Sequence, residues 1–277
     1  MDGDAGKLDT LPLANIAKLG HPAQGLAEGL LITLAASLPA VVGLLFGEAG
    51  PMIVVATVCV YIVTNGVSEV LRVWGAWPIA LLANLLLCIL FAGVIGLNEV
   101  HVKADLSALV SNLRPQSATS VTESGVSSES LQAQIAALQT MQIVGAAAFF
   151  FQMASLPGLL IARWLQALLF NPGGFREEFH ALRFNPYVAV ALLAAYLGCL
   201  AGGADTEFWA MVFALPMVIV GLGVAHFALA KAGIGTAGFV AFYVAFLLLR
   251  PFSTLLLVGV AAADALFDVR PKFQFKR

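Results

Sequence analysis

Long apolar runs separated by short polar breaks set the pattern of this chain. Runs at about 26–46, 51–70, 76–97, 140–162, 187–203 and 208–230 approach or exceed the roughly 20 residues that a helical membrane crossing needs. A last apolar region, 234–267, is interrupted by Arg250-Pro251. It reads either as one long bent helix or as two short crossings. The runs are continuous rather than alternating, which excludes a transmembrane barrel. The pattern predicts an all-α, polytopic transmembrane helical bundle of about seven or eight spans. It forms one domain over 26–277, behind a polar segment at 1–25. Pro157 is expected to kink the fourth span, which can run on to Phe170.

The longest polar break, 98–137, is expected to lie outside as a flexible loop. Leu106, Leu109, Val110 and Leu113 share one helical face at its start. Residues 116–128, rich in Ser, Thr and Gly, are expected to be flexible. Ser128 or Ser130 then caps a helix that climbs through Leu131, Ile135 and Leu138 into the fourth span.

Composition sharpens this picture. Of 277 residues, 60% are hydrophobic and only 11% are charged, against about 25% charged in an ordinary soluble domain. The net charge of −2 gives no nucleic-acid footprint. Cys59, Cys88 and Cys199 all lie inside apolar runs, which suits isolated thiols rather than disulfides or a metal site. The first 24 residues contain Asp2, Asp4, Lys7, Asp9 and Lys18 and no long apolar core, so no cleavable signal is read and the first span is expected to direct insertion. Placing the amino terminus in the cytoplasm puts eleven of the fourteen Lys and Arg residues inside, as the positive-inside rule requires. An even number of crossings follows, with both termini cytoplasmic and a turn near Arg250-Pro251.

One stretch concentrates charge between two spans. Residues 163–186 contain Arg163, Trp164, Gln166, Asn171, Pro172, Gly173, Gly174, Phe175, Glu178, Phe179, His180 and Arg183, bracketed by Asn171-Pro172 and Asn185-Pro186. Gly173-Gly174 allows a sharp turn. From 175 to 184 the spacing predicts a short amphipathic helix in the membrane interface. Phe175, Phe179 and Leu182 share one face; Arg176, Glu177, His180 and Arg183 point away from it. The stretch reads either as a solvated connector between spans or as a docking or gating element.

Inside the spans, Asn65, Asn84, Gln142 and Gln152 either bond neighbouring helices or line a ligand cavity. His226, near the inner end of the sixth span, is expected to snorkel or to pair with a carboxylate. Asp264 is expected to pair with Arg270 or Lys231, and Glu69 with Arg72 one turn away. Arg250 is read as an outer-interface anchor. Gly198-x-x-x-Gly202 and Gly233-x-Gly235 suggest close packing. No HExxH, Walker or GxSxG motif is present, so no catalytic residue, metal site or cofactor is assigned.

The stretch Arg163-Trp-x-Gln-Ala-x-x-x-Asn-Pro-Gly-Gly-Phe-x-x-Glu-Phe-x-x-Leu-Arg resembles the hallmark of the YybS-like family of bacterial inner-membrane proteins. Leu71-Arg-x-x-x-x-Trp-Pro78, Leu215-Pro-x-x-x-x-Gly-Leu-x-x-x-His226 and Asp264-x-x-x-Asp268-x-Arg270 are similar to further segments of that family. The resemblance runs from about residue 26 to the end. It implies an architecture similar to the substrate-binding membrane subunits of energy-coupling-factor transporters. A small-molecule binding or transport-related role follows as one expectation. A scaffold or assembly factor, docking a cytoplasmic protein partner through the Glu177, Glu178, His180 and Arg183 face, is the other.

Overall fold

The computed structural model describes residues 50–113, 128–250 and 252–272, with individual positions between 31 and 45. Among the described residues the chain is helical, with no strand. The helices are α1 (Pro51–Trp74), α2 (Trp77–Gly96), α3 (Glu99–Leu113), α4 (Ser128–Ala137), α5 (Thr140–Phe170), α6 (Gly174–Ala181), α7 (Pro186–Ala201), α8 (Glu207–Lys231), α9 (Thr236–Leu248) and α10 (Phe252–Phe267). Short 3-10 turns cover Gly203–Thr206 and Arg270–Lys272. The described positions between 31 and 45 are also helical. The rest of the expected 26–46 span, the 1–25 segment, the turn before Gly50, most of the 116–128 segment, Pro251 and the last basic residues lie outside the described residues.

Among the described residues, four helices are long and apolar enough to cross a membrane: α1, α2, α5, and α8 with its leading 3-10 turn. The count reaches six if each bent pair is one span. One such pair is α6–α7, bent by 72°, and the other is α9–α10, bent by 115°. Leu86, Leu90, Phe150, Leu169, Val240 and Leu247 point outward and are exposed. That much apolar surface would be an aggregation liability in water and is ordinary against lipid.

The element boundaries follow from local chemistry. Pro51 and Pro78 sit in the first turns of α1 and α2, where proline's missing N–H is no loss. Gly75 closes α1 in the left-handed conformation, φ 61°. Asn185, extended because Pro186 follows, accepts from the Tyr187 N–H at 3.0 Å and caps α7.

α8 lies at the centre of the bundle and packs on α5, α7 and α10, while α2 packs most extensively on α5 and then on α1. Two glycines of α8 let neighbours approach. A Cβ on Gly221 would overlap the Leu257 carbonyl of α10, and one on Gly223 would lie 2.6 Å from the Phe179 carbonyl of α6. These are the close approaches, and not those expected at Gly198 or at Gly233 and Gly235, around which a Cβ would meet open space. A Cβ on Gly202 would meet only its own turn, at Thr206.

Within the 98–137 break, α3 and α4 form and pack on each other. Asp105 of α3 accepts from the Met52 N–H at 2.9 Å, so a carboxylate meets the positive end of α1. Of the expected apolar stripe, Leu106 lines the cavity beneath α3 and Leu109 is exposed. α4 does not climb into the next span. Gln139 is extended (φ −90°, ψ 155°) and forms a reciprocal capping box with Gln142, starting α5 afresh. α5 then passes through Pro157 and reaches Phe170.

Candidate functional site

α6 packs on α8 and on the end of α5, and side chains from the start of α2 and from the turn after α10 reach it. Asn171 ends α5, its N–H donating to the Ala167 carbonyl at 2.8 Å. Gly173 turns the chain at φ 93°. A Cβ on Gly174 would strike the Asn171 side chain, so the Asn-Pro-Gly-Gly turn needs both glycines. α6 is shorter than its spacing predicts. It ends at Ala181, and Leu182 is already extended (φ −60°, ψ 119°). The side-chain period then changes from 3.6 to 2. Leu182 and Phe184 are buried, and Arg183 between them faces the opposite way.

Glu178 fastens the front of α6 to the bundle. It accepts from Trp77 Nε1 at 3.1 Å and from Arg163 Nε at 3.0 Å, and it pairs with Arg163 Nη2. Arg163 Nη1 donates to Gln166 Oε1 at 2.7 Å. Burial would raise the Glu178 carboxyl, but the hydrogen bonds from Arg163 and Trp77 outweigh it and hold the carboxyl below its ordinary value.

Arg270 fastens the back of α6. Its guanidinium donates to the His180 and Leu182 carbonyls, acceptors left open where the helix ends. Its Nε lies 3.0 Å from the fully buried Asp264 carboxylate. Neither Asp264 oxygen has an aligned hydrogen-bond donor among the described residues, so this contact is an ion pair. Arg183 completes the cluster, donating to Asp268 Oδ1 at 2.7 Å and to the Ala265 carbonyl at 3.3 Å. Burial draws the Arg270 guanidinium below its ordinary value, against the pull of Asp264. The expected Asp264–Arg270 and Glu69–Arg72 pairs both form.

Two of the four residues expected on a free docking face, Glu178 and Arg183, are therefore engaged inside the protein. His226 meets no carboxylate among the described residues and bonds the Tyr243 hydroxyl at 2.7 Å. Phe179, Phe239 and Phe242 surround its ring at centroid distances of 5.4, 4.9 and 6.5 Å.

A cavity of about 490 Å³ opens beside α6. Trp164, Ala167 and Leu168 of α5, Gly173, Phe175, Arg176, Phe179 and His180 around α6, Leu222 and His226 of α8, and Tyr243 of α9 line it. This size falls in the range of small-molecule sites. Gln166, Asn171, Pro172, Glu178 and Arg183 do not line it. They build the turn and the fastenings that place the residues that do.

The intramembrane polar residues lie elsewhere. Asn84 Nδ2 donates to Ser155 Oγ at 2.7 Å between α2 and α5, the helix-bonding role. Asn65 donates to its own helix at Tyr61. Gln142 reaches Asp205 at 3.0 Å at the opposite end. Gln152 is fully buried, and neither amide atom has a partner among the described residues. Arg250 is exposed and lines another cavity, of about 270 Å³, with Met153, Leu156 and Val218.

Trp77 and Tyr243 were not singled out by the sequence, although Trp77 falls in the Trp-Pro segment; Arg176 was placed on the polar side of the helix but not among the candidate site residues. Trp77 could have been found as a lone indole N–H at the start of a span, a donor that seeks an acceptor. Tyr243 carries no comparable signal. Among the described residues no group of three His, Cys, Asp or Glu side chains could hold a metal. No family model matches the chain, and neither a curated protein nor a solved structure matches it.

Proposed function

We propose that this is a membrane component that binds a small molecule in the cavity beside α6, in a transport-related role. The observation that carries the reading is the division of labour within 163–186. Glu178 and Arg183 are engaged internally, and they position Trp164, Phe175, Arg176, Phe179 and His180 along one cavity. The YybS-like assignment and the likeness to energy-coupling-factor subunits belong to the same proposal. So does a bacterial inner membrane with this end in the cytoplasm, supported by the concentration of Lys and Arg here. In this reading α6 lies in the interface. α9 and α10 serve as the last two short crossings of eight or, given their lengths, as a re-entrant hairpin.

The scaffold reading keeps only Glu177 and Arg176 as exposed charges on α6, a smaller face than the sequence suggests. The test is a native mass spectrum of the protein extracted in its own lipid. The binding reading expects a reproducible small-molecule adduct that disappears in Leu168→Trp, a substitution at an exposed wall position of the cavity. A bare chain that always carries a second polypeptide would overturn it in favour of the scaffold.

A further inference from the structure

Building on that reading, we infer that the α6 cavity takes an anionic lipid from the surrounding bilayer. Three observations converge. The cavity's outer wall is continuous with the lipid-facing surface, since Ile161, Trp164 and Leu168 line it and are all exposed. An occupant can therefore enter sideways from the membrane, which favours an amphiphile over a water-soluble solute.

The cavity lining is also amphipathic. Leu160, Ile161, Ala167, Leu168 and Leu222 form an apolar wall, while Arg176, His180, His226 and Tyr243 supply polar groups. Trp164 belongs to the interfacial class of residues that sit at headgroup level.

The charge has one sign. Arg163 is neutralised by Glu178, and Arg183 and Arg270 are met by Asp264 and Asp268. Among the other described charged groups at this end, Glu69 and Arg72 pair with each other, Lys231 stacks over Phe227, and Glu177 is exposed and does not line the cavity. Arg176 is the charged side chain on the cavity rim, and among the described residues it makes no hydrogen bond or ion pair. Burial and then the positive charge of Arg176 hold His180 below its ordinary value, as expected where positive potential is in excess. A phosphate headgroup against Arg176, with its chains along α5 and α8, satisfies both the charge and the apolar wall.

The experiment uses the full chain, delipidated in detergent and mixed with equal amounts of dioleoyl phosphatidylglycerol and dioleoyl phosphatidylcholine. Native mass spectra count the retained lipids. One tightly held phosphatidylglycerol is expected, preferred about fivefold, the effect of roughly one basic side chain on an anionic headgroup. Arg176→Gln, an exposed position with no fold contact to lose, should bring the preference to parity. Leu168→Trp should remove the retained lipid altogether. Equal retention of the two lipids, or a preference unchanged by Arg176→Gln, overturns the inference. If neither lipid is retained but a co-purified non-lipid compound is lost in Leu168→Trp, the lipid class fails and the binding function stands. If Leu168→Trp changes no adduct of any kind, both fail.

Discussion

The two ends of the bundle are held shut by different chemistry. At the α6 end, ion pairs and charged hydrogen bonds do it: Arg163–Glu178 with Trp77, and Arg270 and Arg183 with Asp264 and Asp268. At the other end the bonds are caps and single side-chain contacts. Asp105 caps α1, Thr140 meets Glu99, Gln142 reaches Asp205, and Trp209 Nε1 donates to the Met141 carbonyl at 3.0 Å. A partly buried charge left without its partner destabilises far more than a lost cap. The α6 end is thus fixed in one arrangement, as a binding site needs. The opposite end can lose single contacts and still hold.

The largest effect is expected at Asp264. Asp264→Asn leaves the Arg270 guanidinium, only 12% exposed, without its carboxylate. It should cost about 3 kcal/mol or more, read as a lowered Tm by tryptophan fluorescence in micelles. Next is Gly223→Leu, which drives a side chain into the Phe179 carbonyl and should cost about 1–3 kcal/mol. Glu178→Ala should cost about 1.5 kcal/mol, because one charged hydrogen-bond set is lost at a site that water partly reaches.

The Glu178 contribution has a defined pH sign. Its folded carboxyl lies below the ordinary value, so the stabilisation is complete above about pH 4.3 and fades as the pH falls through the folded value. Glu178→Gln should flatten that acid limb of Tm against pH. At the opposite end, Asp105→Ala should cost about 1 kcal/mol; the smallest effect is expected from Arg72→Ala, which removes an exposed i,i+3 pair at the other end of α1. An Asp105 effect larger than that of Asp264 would reverse the comparison.

Much of the architecture was legible because lipid imposes a simple code. Continuous apolar runs of sufficient length have few alternatives to helices, and α1, α2, α5 and α8 fall where those runs lie. Asp264–Arg270 was legible too, since a carboxylate and a guanidinium so close in sequence at a helix end have few other partners. The fastening role of Glu178 was not. Its partners Arg163 and Trp77 lie 15 and 101 residues away, and no periodicity encodes which carboxylate of an adjacent Glu177-Glu178 pair turns inward. The Gly221 and Gly223 contacts were hidden for a related reason. Glycine spacing marks where helices can approach, and only the packing of α6 and α10 against α8 shows where they do. Gln139 was missed as a cap because glutamine rarely serves as one.

Residues 163–186 are fastened to the bundle by Glu178, Arg183 and Arg270 rather than forming a free connector. Hydrogen–deuterium exchange over residues 177–182 in reconstituted protein tests this most directly. Protection close to that of the neighbouring spans is expected, collapsing in Glu178→Ala. Complete exchange at the earliest time point in the unaltered protein would contradict it.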